Sequence, residues 1–147
     1  MKLGDVWFTT LAQSEDGSEN VIFVSGREHI AEFINSGKFK ERAEVTWKYQ
    51  GDAKGMPDDK TAELMEEVQE ALKKSMEKDK LAILTGIYTG NNERVWIFIT
   101  RNVAAFGQKL NEALSGFELL PISIYTEKDP ENNEYKEMLE LKLSDEE

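Results

Sequence analysis

The sequence predicts an α+β fold: a ferredoxin-like split βαβ sandwich (strand, helix, strand, strand, helix, strand) over roughly residues 41–126. An N-terminal β-hairpin and short helix precede it, and a short C-terminal helix follows. Three observations predict this. The hydrophobic pattern alternates strictly through Glu44-Val45-Thr46-Trp47-Lys48-Tyr49, then changes to a helical spacing after Lys60. Two apolar runs flank Gly90-Asn91-Asn92, residues that tolerate left-handed backbone and so mark a hairpin. A second helical stripe and a last strand then close the series at Thr126.

Taken in order, residues 6–11 and 21–24 are β-branched and aromatic, and the Ser14-Glu15-Asp16-Gly17-Ser18 cluster between them is a turn signal, so they form the N-terminal hairpin. Ile30, Phe33 and Ile34 suit a short helix ended by Asn35-Ser36-Gly37. In the first strand of the sandwich, Val45, Trp47 and Tyr49 share one face while Glu44, Thr46 and Lys48 share the other. Residues 51–59 form a loop broken by Gly55 and Pro57, with Asp58 or Asp59 as N-cap. Leu64, Met65, Val68, Ala71, Leu72 and Met76 line one stripe of the helix that follows. Its acids lie early and its lysines late, as the helix dipole favours, and Glu70 and Lys74 are spaced for an i,i+4 pair. Residues 81–88 and 94–99 are apolar on both faces and read as central or fully covered strands. The split βαβ order sets the Trp47 and Trp96 strands side by side, and they are expected to run in the same direction. Asn102 caps a helix with Val103, Phe106, Leu110, Ala113 and Leu114 on its buried face. Pro121 within the strand over 119–126 argues for an edge position or a bulge. Asp129-Pro130 reads as an N-cap with proline at the first helical position, opening a helix through Met138. Residues 139–147 alternate acid and apolar, and the end, Ser144-Asp145-Glu146-Glu147, is expected to fray.

The chain has 147 residues and no internal repeat or linker, so a single domain over 1–147 is expected. With no cysteine, disulfides, thiolate zinc sites, iron–sulfur clusters and thiol nucleophiles are excluded, and a reducing cytoplasm is the expected home. Met1-Lys2-Leu3-Gly4-Asp5 lacks the apolar core of a signal peptide, and no stretch is long enough to span a bilayer, so no membrane association is expected. The net charge of -11 repels nucleic acid, and no basic patch is evident along the chain to offset it. A protein with a basic surface is the partner such acidity suits.

Five segments in order, Trp47-Lys48-Tyr49, Gly55-Met56-Pro57, Thr85-Gly86, Arg94-Val95-Trp96 and Asp129-Pro130 with Tyr135, resemble the bacterial family catalogued as domain of unknown function six-nine-five. The resemblance covers nearly the whole chain. It departs near Ile99 and Asn132, where the family's pattern has a tyrosine and a tryptophan. Membership implies an uncharacterised, ferredoxin-like protein. It also implies distant similarity to ribonuclease E inhibitor-type regulators of RNA turnover, whose domains are also acidic.

No catalytic or metal-ligating set emerges from the residues themselves, and no cofactor is called for. His29 is the only histidine and has no nucleophile-elbow motif to serve. The carboxylate pairs Glu66 with Glu70 and Asp58 with Asp59 read as solvated faces, since no cation-loop motif accompanies them. The loop from Gly51 to Gly55 lacks the phosphate-loop ending and carries Asp58-Asp59 beside it. The aromatic set is the strongest lead: Trp47, Tyr49, Arg94 and Trp96 are the candidate binding residues. Facing away from the helices they would form an aromatic platform with one cation; facing the helices they are core. Three readings follow. The first is a non-catalytic binding or regulatory module. The second is a small-molecule enzyme that uses carboxylates with Arg94 as an anion clamp, which requires a concave pocket holding Arg94 and a buried acid of raised pKa. The third is a ligand-free structural homodimer formed by pairing sheet faces.

Overall fold

The computed structural model describes residues 3–13 and 21–146. The elements run β1 (Trp7–Gln13), β2 (Val21–Arg27), α1 (Ala31–Asn35), β3 (Glu41–Lys48), α2 (Asp59–Glu77), β4 (Ala82–Gly90), β5 (Glu93–Thr100), α3 (Val103–Ala113), β6 (Ile122–Lys128) and α4 (Asn133–Glu146). The six strands form one antiparallel sheet in the order β1-β2-β4-β5-β3-β6. The expected N-terminal hairpin is present as the pair β1–β2, while its turn at 14–18 lies outside the described residues.

The tryptophan strands are neighbours, with Val45 opposite Trp96 and Trp47 opposite Arg94, but they run antiparallel. This corrects the expectation of a shared direction. The cause is local. Asn91 (φ 52°) and Asn92 (φ 67°) make a two-residue turn that sends β5 back along β4. β3 takes the other side of β5, so β3 and β4 run parallel to each other with β5 opposed between them.

Two apolar layers follow from strand alternation. Ala43, Val45, Trp47, Leu84, Trp96 and Phe98 face one side, where Met65, Val68 and Leu72 of α2 and Phe106 and Leu110 of α3 close over them. Val24, Ile83 and Ile99 face the other side, beneath Phe33 of α1 and Tyr135 and Met138 of α4. Each large aliphatic side chain so buried contributes about 1.5–3 kcal/mol of transfer free energy. β4 and β5 are therefore covered on both faces, in keeping with their unbroken apolar sequence. The N-terminal hairpin covers neither layer; it widens the sheet edge-on through the β2–β4 pairing.

Both long helices begin at caps legible in the sequence. Asp58 accepts the Thr61 N–H at 2.7 Å and Asn102 the Ala105 N–H at 2.9 Å. The Glu70–Lys74 pair does not form. Lys73 instead lies between Glu70 at 3.8 Å and Asp5 at 2.9 Å. The C-terminal helix also departs from expectation, starting at Asn133 and running to Glu146. Asn132 adopts a φ of 54°, which breaks any helix begun at Pro130. The buried Asp129 carboxylate still serves the helix end by accepting the Asn133 and Glu134 N–H groups at 2.9 and 3.2 Å. α4 sits very close to the sheet because two glycines make room for it. A Cβ at Gly86 would come within 2.3 Å of Met138 Cε, and one at Gly26 within 2.2 Å of the Phe8 ring and 3.0 Å of the Met138 sulfur. No described helix is long and apolar enough to cross a membrane.

Candidate functional site

The four candidate residues fall into two groups. Trp47 and Trp96 are core. Their rings meet edge to face at 6.2 Å beneath α2, and the Trp96 indole Nε1 donates to Gln69 Oε1 at 3.0 Å. Strand register decides this outcome. With Val45 opposite Trp96, the alternations of β3 and β5 coincide, and both tryptophans turn toward the helices. An aromatic platform facing away from the helices is therefore absent at these positions. Tyr49 is half-buried. Its hydroxyl donates to the Gly55 carbonyl at 2.7 Å and pins the loop before α2, and burial pushes its pKa up to about 12.

Arg94 is the one of the four that opens onto a cavity. An open trough of about 570 Å³ lies where the β1–β2–β4 wing of the sheet extends past α2. Trp7, Phe23 and Ile87 line its floor, Glu66, Gln69 and Lys73 its helical wall, and Arg94 one end. Arg94 Nε donates to Thr89 Oγ1 at 2.8 Å and Nη1 to Glu66 Oε1 at 3.1 Å. Lys73 Nζ donates to both Asp5 oxygens, at 3.0 and 2.9 Å. The Asp5 carboxyl is held below the usual carboxylate range, first by the Trp7 indole N–H and then by Lys73.

The electrostatic character of the trough follows from exposure. The Arg94 and Lys73 side chains are 12% and 16% exposed, whereas Glu66, Asp5 and Glu70 are 59%, 60% and 64% exposed. The cations are drawn into the wall, and the acids form the rim that meets solvent. Sequence reasoning missed the floor. Trp7 and Phe23 lie on the hairpin, and only the nonlocal β2–β4 register brings them beside Ile87 and Arg94. No local signal in the sequence marks Phe23, which the structure leaves exposed on β2.

The acid that a small-molecule enzyme would require is not in the trough. Among the described residues, Glu134 is the carboxylate whose pKa is raised, chiefly by burial. It lies on the opposite face of the sheet, where the Tyr88 hydroxyl donates to it at 3.0 Å. His29 sits in left-handed backbone (φ 61°) just before α1, away from the trough. Among the described residues no group of three or more His, Cys, Asp or Glu is placed to hold a metal ion.

Comparison with known proteins adds one match. The model of a family of unknown function, DUF695, covers residues 7–140. No significant match is found among curated proteins or solved structures.

Proposed function

The chain belongs to the DUF695 family of unknown function, and from that premise we propose that it is a non-catalytic binding module. Its docking surface is the trough between α2 and the β1–β2–β4 wing. Its partner is a protein segment that presents apolar or aromatic side chains flanked by lysine or arginine. The observation that carries this reading is the charge inversion at the trough: inward, paired cations and an outward acidic rim over an apolar floor. Phe23 fits the role of anchor contact, and Glu66 and Glu70 fit that of steering charges. Arg94 fixes the wall through Glu66, and Trp47 and Trp96 support it from below without touching the partner. The strand order β4-β5-β3-β6, with α2 and α3 on one face, supports reading this part of the chain as the ferredoxin-like sandwich. An enzymatic reading has Arg94 in a concave site but no buried acid beside it, and so is not favoured.

The test compares capture of partners from a native lysate by the wild-type chain, Phe23→Glu and Glu66→Gln/Glu70→Gln, each at low and high salt. A partner held by the wild type should be lost with Phe23→Glu and weakened by salt and by the glutamine pair. Hydrogen exchange on the complex should slow at residues 23–25 and 66–73. Absence of any specific partner at either salt, or a partner indifferent to both variants, rejects the reading.

A further inference from the structure

We propose that a second cavity, at the far end of β5 from Arg94, binds a dianionic phosphate group. Arg94 and Arg101 lie seven residues apart along and just beyond β5, a separation of ~24 Å at ~3.4 Å per residue. This site is therefore independent of the trough. The cavity holds about 230 Å³ and is lined by Phe33, Lys38, Phe39, Asp79, Lys80 and Arg101. Three connections converge there: α1 to β3, α2 to β4, and β5 to α3. These cations are scattered along the chain, so a linear reading finds no basic patch; the fold assembles one.

Pairing sets Arg101 apart from the other arginines of the chain. Of the four arginines, Arg27 is held by Glu77, Arg42 by Glu44, Glu127 and Asp129, and Arg94 by Glu66. Among the described residues, the Arg101 guanidinium and the Lys38 ammonium have no such partner. The one acid in the lining, Asp79, is occupied by Lys109 Nζ at 2.5 Å. The neighbouring Glu77 carboxylate is turned to Arg27 at 2.7 Å and the Leu84 N–H at 3.0 Å. Lys80 Nζ donates only to the Glu77 carbonyl, at 3.3 Å, and retains further protons to donate.

The frame is fixed. The Arg101 N–H donates to the Leu81 carbonyl at 3.0 Å, Thr100 Oγ1 reaches the same oxygen at 3.1 Å, and Lys80 is held in left-handed backbone with a φ of 59°. Phe33 and Phe39, both buried, close the base edge to face at 6.3 Å. A planar guanidinium and two ammonium groups around a small cavity match the charge and several acceptor oxygens of a phosphate. The cavity's size and the chain's net negative charge select free phosphate or a small phosphate monoester over a polynucleotide.

The experiment is an amide and guanidinium NMR titration of the whole chain with inorganic phosphate and, separately, with phenyl phosphate. It is run at constant ionic strength and about pH 7.5, where the second phosphate proton is largely lost. Signals of Lys38, Lys80 and Arg101 should shift saturably. Arg101→Gln should weaken binding about ten- to hundred-fold. Lys38→Gln should weaken it less, and Lys136→Gln on α4 should leave it unchanged. Tighter binding of phenyl phosphate assigns the site to a monoester, and tighter binding of inorganic phosphate assigns it to the free ion. The variants' own spectra report their folding, and Lys38→Gln carries the test if Arg101→Gln does not fold. No saturable shift with either probe, or affinity unchanged in a folded Arg101→Gln, overturns the proposal.

Discussion

Trp96 carries two roles at one position: its ring fills the core against Trp47, and its indole N–H satisfies Gln69. The two roles separate by substitution. Trp96→Ala should cost about 3–5 kcal/mol by urea unfolding. Trp96→Phe, which keeps a ring but loses the donor, should cost about 1–2 kcal/mol. Arg27 is a harsher case. Its guanidinium is buried, lies 5.3 Å from the Trp7 ring centre, and donates to Glu77, the Leu84 carbonyl and the Gly4 carbonyl. Arg27→Met strands the Glu77 carboxylate and should cost about 3–5 kcal/mol, with Arg27→Met/Glu77→Leu recovering part of the loss. Glu134 gives a pH prediction of definite sign. Its folded pKa is raised, so between the unfolded and folded values the native state binds more protons than the unfolded one, and stability falls as pH rises through that window. Glu134→Gln should flatten this fall and leave the protein at least as stable at pH 7, which thermal unfolding from about pH 4 to 7 will report. None of these three environments could be read from the residues alone. Each depends on a partner from a distant element: Gln69 on α2, Glu77 at the end of α2, and Tyr88 on β4.

Elements whose signals are local were legible. The Asn91-Asn92 hairpin, the caps at Asp58 and Asn102 and the apolar stripe of α2 need only neighbours in sequence, and each is where the pattern places it. The hairpin also makes contacts the pattern could not show. Asn92 Oδ1 accepts the Gly51 N–H at 3.1 Å, and the Asn92 N–H donates to the Gly55 carbonyl at 2.9 Å. Asn91→Gly should therefore be tolerated, since glycine adopts the same backbone freely, while Asn92→Gly should lose about 1 kcal/mol with its side-chain acceptor. Denaturant midpoints of the two variants decide the contrast. Asn102→Ala should likewise cost about 1 kcal/mol at the start of α3. α4 was misread because Asp129-Pro130 is a sound helix start in isolation. The left-handed Asn132 and the reach of the Asp129 carboxylate past it are set by packing against β3 and α1: the Asp129 N–H donates to the Lys40 carbonyl and Asn132 Nδ2 to that of Ile34. The direction of β5 relative to β3 was legible in principle, because the two-residue turn already opposes β5 to β4.

At the scale of the whole molecule, one sheet carries a cover of α2 and α3 on one face and of α1 and α4 on the other, and the trough and the Arg101 cavity lie at opposite ends of β5. The sheet's extent was hidden in the sequence, because attachment of the hairpin rests on the β2–β4 register, which no local pattern encodes. The trough exists because that attachment carries the sheet beyond the reach of α2. The opposite face has no such overhang there, since α4 lies on β1, β2 and β4 together. Its seat, with Met138 lowered onto Gly26 and Gly86, has a chemical consequence. Peroxide reaches a thioether only when it is uncovered, and the resulting sulfoxide is larger and polar. Met56, half-buried in the loop before α2, should be oxidised first; Met138 should follow at the frequency with which the last helix lifts, and Met65 and Met76, on the buried face of α2, should come later. The chain thus carries its own clock for the breathing of its C-terminal lid. Once Met138 has gained an oxygen, the slot between the two glycines no longer fits it, so each excursion caught by the oxidant should leave the lid ajar.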